Sequence, residues 1–323
     1  MKGRILAVDA FIERRFFILG LLILGGGLLA GQGLAVLRPL TPIFLALTMF
    51  TGALNCSLDD FRRVLYTPGT ILLALGLMYI ITPIITLGLT KLFFVGEPLL
   101  AAGQLFSSTL PVGITASVWT MLAGGNLPLC LGLVILTTLL SGLITPSLFH
   151  LLAGAQVEFA VWDLVFDLVK IVIIPVIIGL YVQERRFAPV ERARPLLQLS
   201  VKLYMLLTIA IYAAVMRPHL VQLGWGIGKV IGSMFFQFSI STLLALLFIK
   251  WLPIEDIAAL AFANAVRNMV GGSIIATAHF PIVVALPLIV SLLLQNPMGS
   301  VIYKVFRKSS ALLMKEGDDL STN

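Results

Sequence analysis

Asn264, Arg267 and Asn268 fall within "FANAVRNMVGG", residues 262–272, in an otherwise apolar stretch long enough to cross a bilayer. A guanidinium brings five donors in a fixed fork and a permanent charge, which suits carboxylate, sulfate or carbonyl oxygens. The two amides add both donors and acceptors. No Asp or Glu in the stretch neutralises the arginine, and an ionisable side chain at membrane depth marks a functional site by default. A second polar group sits in "GQLFSSTLPVGITASVWTMLAGG", where Ser107, Ser108, Thr109, Thr115 and Ser117 surround Pro111 and Gly113. A third, Gln295-Asn296-Pro297, interrupts the last apolar run. As lone amides, Gln295, Asn296, Gln104 and Gln237 can contact a solute or bond a neighbouring helix.

The surroundings of these residues are those of a membrane protein. The chain of 323 residues is 59% hydrophobic and 11% charged, where a soluble domain carries roughly 45–50% and 25%. That deficit of charge leaves too little to cover a water-facing surface. Cys56 and Cys130 both lie in apolar runs, so neither a disulfide framework nor a thiolate metal site is expected. No H-x-x-x-H, D-x-x-D or Ser/His/Asp grouping occurs in an apolar run, which argues against a membrane enzyme and against a cofactor. The net charge of +7 is accounted for by basic cytoplasmic loops, so no nucleic-acid partner is called for. Nothing in the sequence bears on oligomeric state.

Runs of about 20 apolar residues number ten, at about 16–33, 40–57, 69–93, 98–123, 127–153, 160–183, 196–216, 221–249, 256–279 and 281–306, with a polar tail over 308–323. Placing both termini in the cytoplasm puts fifteen basic residues inside, Arg62, Arg63, Arg185, Arg186, Arg192 and Arg194 among them. Only Arg38, Lys91 and Arg217 fall outside. That asymmetry follows the positive-inside rule and supports ten spans in an integral membrane protein, here expected in a bacterial inner membrane. Lys202 and Lys229 lie near span ends and can snorkel. Asp163 and Asp167 precede Lys170 by about two turns and one, spacings that permit an ion pair on one helix face. His150, His219 and His279 sit near predicted outer ends, where a proton relay competes with a plain interfacial role.

The fourth and ninth runs are the fourth members of two five-span halves, about 16–153 and 160–307. An odd span count inverts one half relative to the other. Interrupted segments at corresponding places in inverted halves point to a transporter's binding site, because backbone groups freed by a break are tolerated only where something satisfies them.

These residues resemble the bile acid/sodium symporter family. "SLDDFRRVLYTP" is similar to its D-F-x-x-V-L-x-x-P loop at Asp60, Phe61, Val64, Leu65 and Pro68. "TASVWTMLAGGNLPLCLG" resembles its fourth-to-fifth-span region, while "LAFANAVRNMVGG" and "ALPLIVSLLLQNPMGS" resemble its ninth and tenth spans. The resemblance runs along nearly the whole chain. It implies an all-α, ten-helix transporter of two inverted five-helix repeats in one transmembrane domain, with broken helices 4 and 9 crossing in a core domain beside a panel domain. Asn264, Arg267, Asn268, Thr115, Ser117, Gln295 and Asn296 become the crossover and substrate candidates, and the implied partner is a small organic anion within the lipid bilayer.

The departures from that family's sodium ligands matter as much. The ninth-span Glu-x-x-x-Gln-Asn run aligns with Ala263, Arg267 and Asn268. The fourth-span Ser-Asn pair becomes Ala116 and Ser117, later Ser and Thr positions become Cys130 and Val134, and a third-span glutamine becomes Met78. A sodium ion needs hard oxygen ligands, and an arginine ~4–6 Å away repels it by roughly 3–4 kcal/mol even at an effective dielectric of 20. Sodium binding in the usual sites, and any other metal site, is therefore not expected. Arsenite permeases share the fold, but their cysteine and glutamate positions hold Val112 and Val270. Three roles for Arg267 stay open: a stand-in for the missing ions, a direct anion contact, or a structural arginine on buried carbonyls. A sodium-dependent symporter with an atypical ion site and a non-transporting receptor or scaffold are the competing functions.

Overall fold

A computed structural model describes residues 2–56, 59, 62, 66–154 and 157–321. Most of the loop carrying Asp60, Phe61, Val64 and Leu65 lies outside the described residues. Twelve helices carry the fold: α1 (Lys2–Ala30), α2 (Thr41–Ala53), α3 (Pro68–Phe93), α4 (Pro98–Thr109), α5 (Thr115–Leu122), α6 (Leu127–Ala153), α7 (Val161–Glu184), α8 (Ala188–Leu223), α9 (Ile227–Leu246), α10 (Ile254–Ala265), α11 (Met269–His279) and α12 (Leu286–Ser321). Proline opens several of them, at Pro42, Pro68, Pro98, Pro128 and Pro189; its fixed φ suits the first turn, where an N–H has no helical acceptor anyway. Asn126 caps α6 and Asn268 caps α11, each side chain accepting from a backbone N–H at 3.0 Å.

Seven helical segments among the described residues are long and apolar enough to cross a membrane. The other three expected spans fall on the shorter apolar Ile18–Ala30 of α1 and on two interrupted segments, α4–α5 and α10–α11. Each half of an interrupted segment is too short to span alone.

Two sets of helices can be followed, joined where α6 packs on α7 and α11 on α2. In the first, α1 and α2 pack on α8, and α2 on α7; in the second, α9 packs on α3, α10 and α12, while α4 packs on α3 and α6. The two interrupted segments belong to the second group. Pro111 explains the first interruption: the residue before a proline is driven out of the helical region, and Leu110 is extended at φ −67°, ψ 152°. The second has no proline. There Val266 turns extended at φ −95°, ψ 97°, and the chain restarts at the Asn268 cap.

Three expectations about charge are revised. Asp167 does not pair with Lys170; its carboxylate lies 3.0 Å from His279 Nε2 on α11, and Lys170 and Asp163 are exposed. Lys202 and Lys229 do more than snorkel, since each reaches a carboxylate, Asp9 at 2.8 Å and Glu97 at 2.9 Å.

Candidate functional site

The two interruptions cross as a two-strand fragment. Val112 pairs with Arg267 in an isolated antiparallel bridge. Gly113 N–H donates to Val266 C=O and Asn268 N–H donates to Pro111 C=O, both at 2.9 Å. The approach is close enough to require glycine: a Cβ on Gly113 would lie 2.9 Å from the Arg267 carbonyl oxygen. The remaining freed backbone groups are taken by side chains from neighbouring helices. Val112 N–H donates to Thr137 Oγ1 at 3.1 Å, Thr145 Oγ1 donates to Thr109 C=O at 2.8 Å, and Gln295 Nε2 donates to Arg267 C=O at 2.9 Å.

Arg267 itself is 2% exposed. Its Nε donates to Asn264 C=O at 3.0 Å and Nη1 to Leu110 C=O at 2.9 Å. Nη2 donates to both Met78 C=O and Asn264 Oδ1, each at 3.1 Å. Four of its five N–H groups thus meet neutral oxygens. Leu110 and Asn264 stand at the C-terminal ends of α4 and α10, the negative poles of those half-helices, so the cation sits where two dipoles converge. The Tyr79 ring centroid lies 5.9 Å from the guanidinium carbon.

The third carbonyl is free for a reason legible in the chain. Residues 77–81 form a π-bulge in α3, in which Thr82 N–H donates back to Leu77 C=O. The next amide up the helix belongs to Pro83, which has no N–H. Met78 C=O is left facing sideways, and Arg267 takes it.

Asn264 ties the arginine to two further helices. Thr82 Oγ1 donates to its Oδ1 at 3.1 Å, and its Nδ2 donates to Ser241 C=O at 2.8 Å. These residues, with Gln237 and Gln295, border a cavity of about 10 Å³, room for about one water. Gln237 Nε2 donates to Ser107 Oγ at 3.0 Å, joining α9 to α4; its Oε1 is buried without a partner among the described residues. Gln104 likewise binds Ser233, which assigns it a helix–helix role.

Of the candidates read from sequence, Arg267, Asn264 and Gln295 come together here. Asn268 serves as the α11 cap, with its amide against Met49 Sδ at 3.6 Å. Ser117 donates within its own segment, to Ile114 C=O at 2.7 Å. Thr115 and Asn296 are half-buried and lie outside the cavity wall. Sequence reasoning missed Thr82, Thr137, Thr145 and Ser241; a proline five residues after Met78 was the one usable signal.

Of the positions that the resemblance aligns with sodium ligands, Met78, Ala116, Cys130, Val134 and Ala263 are buried in one apolar cluster. No group of three or more His, Cys, Asp or Glu side chains gathers among the described residues.

With that geometry in place, the comparisons are informative. The profile of the Sodium Bile acid symporter family matches residues 42–223. The Bacillus subtilis (strain 168) protein YbaS is 30% identical over 281 residues, covering 85% of this chain and 91% of its own. YocS of the same organism, named an uncharacterized sodium-dependent transporter, is 28% identical, with 82% of each chain covered. The probable sodium/metabolite cotransporter BASS1, chloroplastic, of Arabidopsis thaliana is 25% identical, covering 84% of this chain and 67% of its own. A membrane protein that matches this family over more than half its length belongs to it: the chain is a member of the sodium bile acid symporter family.

Proposed function

We propose that this protein is a secondary transporter of a small organic anion, working by alternating access in a ten-helix, inverted-repeat fold, and that Na⁺ does not drive it. One observation carries the reading. The Arg267 guanidinium holds Leu110, Asn264 and Met78 carbonyls at the crossing of the interrupted helices, where a cation of the ion-coupled kind would otherwise be the group neutralising two helix ends. The positive charge is built into the chain, and its contacts include no carboxylate. The two helix poles offset much of that charge, so what favours an anionic solute is the donor capacity that the guanidinium keeps beyond them. Four committed donors support the stand-in role over a bidentate clamp on the solute; the anion is attracted through space and through the remaining N–H.

Uniport or exchange fits this arrangement better than H⁺ coupling, because no Asp or Glu lies at the crossing. A sodium-dependent symporter with an atypical ion site is the second reading, favoured by the names of the relatives YocS and BASS1. The test begins with a thermal-shift screen of organic anions on the purified protein. Flux of any stabilising anion is then measured in proteoliposomes with and without a Na⁺ gradient. Uptake that is independent of the gradient is expected. Uptake that collapses without Na⁺ overturns the sodium-free reading, and a protein that moves none of the anions it binds is a receptor instead.

A further inference from the structure

The far end of α11 is fastened to the other helix group by three polar links. Arg38, just before α2, donates through Nη2 to Thr277 C=O in the last turn of α11. Tyr212 of α8 has its hydroxyl 3.0 Å from Thr41 Oγ1 and 3.1 Å from Thr277 Oγ1. Asp167 of α7 holds His279 at 3.0 Å. At the opposite end, among the described residues, Asn126 donates to Asp256 of α10 at 2.7 Å and Arg194 of α8 donates to Gln183 of α7 at 3.1 Å, each within a group.

We propose that Arg38, Tyr212 and Asp167 form a latch that closes the α11 end of the molecule and must release before a solute can reach the crossing from that side. The inference rests on the alternating-access reading. Two features support it. First, α11 is a single helix with Asn268 and the crossing at one end and the latch at the other, so movement of its far end is felt at Arg267. Second, release orphans neither threonine. Thr277 Oγ1 has an alternative acceptor in Ile274 C=O at 2.9 Å, and Thr41 Oγ1 has one in Arg38 C=O at 2.8 Å. A buried hydroxyl left without an acceptor would make separation costly; here both keep a local one. Arg38 and Asp167 are half-buried and can be hydrated once freed. A recess of about 270 Å³ beside Arg38, Thr41, Ile274 and Thr277 already leads to this contact.

The test uses the full chain with Ile274→Cys as reporter, because Ile274 lines the recess yet is buried. The native Cys56 and Cys130 are buried and set the background. Tyr212→Phe combined with Asp167→Asn removes one hydroxyl and one charge with little change in volume. Modification by a membrane-impermeant maleimide is expected to become at least fivefold faster, and amide exchange in 274–280 to rise similarly. Arg38→Gln, made separately, is expected to act in the same direction, and Lys229→Gln, which breaks a pair within one group, to do nothing. Labelling and exchange unchanged from the parent in both latch variants overturn the latch, whether or not a solute is found. Faster labelling in a protein that carries no anion in vesicles retains the latch and removes the transport reading.

Discussion

Arg267 Nη2 reaches the backbone carbonyl of Met78 at 3.1 Å, and that carbonyl is available because Pro83 supplies no N–H to close the bulged turn above it. The charge at the crossing and a proline on a different helix are therefore halves of one device. Met78, the residue that the resemblance aligns with a third-span glutamine, still contributes an oxygen, now from the main chain.

This link is testable by a double-mutant cycle. Pro83→Ala restores an amide beside the Met78 carbonyl and gives it a helical partner, so Arg267 loses one acceptor of its own. Arg267→Gln should then cost less in the Pro83→Ala background than in the parent, by about 1 kcal/mol, the net worth of one hydrogen bond. Thermal unfolding of the four proteins in one detergent measures it. Strict additivity would mean that the proline and the arginine act independently.

Arg267→Gln alone should be among the more damaging substitutions. It leaves up to three buried carbonyls short of a donor, at roughly 1–3 kcal/mol for a group orphaned outright, and the protein is expected to unfold several degrees lower. Arg267→Lys should recover only part of that loss. A lysine has three donors on one nitrogen, and three carbonyls from three separate segments cannot all be met from one point. Equal melting temperatures for the parent and Arg267→Gln would show that water replaces the guanidinium at no cost.

How much of this was readable beforehand differs between the two interruptions. The first announced itself through Pro111 and Gly113, each with a local consequence: one forbids helix before it, the other admits a second backbone. The second was legible only as a cluster of Arg, Asn and Gly in an apolar run; no residue there forces a break, and extended Val266 is held by pairing with Gly113 from 153 positions earlier. Of the partners of Arg267, only the Met78 carbonyl left a trace in the sequence, through Pro83. Three are main-chain oxygens, which carry no residue-type signal, and the π-bulge that frees one of them is a property of α3 as packed. For the same reason Asp167 looked like a partner for Lys170, one turn away, when the fold delivers His279. Thr115 and Asn296, singled out as polar residues near a break, line no part of the cavity.

Gly113→Ala should disrupt the crossing. The added methyl would sit 2.9 Å from the Arg267 carbonyl oxygen, and a main-chain oxygen cannot swing aside as a side chain can. A cost of about 1–3 kcal/mol, typical of overpacking, is expected in thermal unfolding. Amide exchange at Gly113 and Asn268, whose N–H groups donate across the crossing to Val266 and Pro111, should quicken together. Exchange at the Asn126 cap, which lies on the other side of α5, should stay as it is.

The response to sodium discriminates most sharply between the two functional readings. In the parent, replacing Na⁺ by K⁺ at constant ionic strength should leave the melting temperature unchanged, because most positions aligned with sodium ligands are apolar and Arg267 repels a neighbouring cation. Arg267→Gln with Ala263→Glu removes that charge and supplies a carboxylate one turn before it on α10. If the ends of α4 and α10 once faced an ion, the double variant should be stabilised by Na⁺ and not by K⁺, by about 2.7 kcal/mol when Na⁺ stands at a hundred times its dissociation constant. Ala263→Glu alone should gain nothing from Na⁺, since the glutamate would pair with Arg267 instead. A parent as responsive to Na⁺ as the double variant would place a working ion site in this chain despite its arginine, and would return the sodium-driven reading to first place.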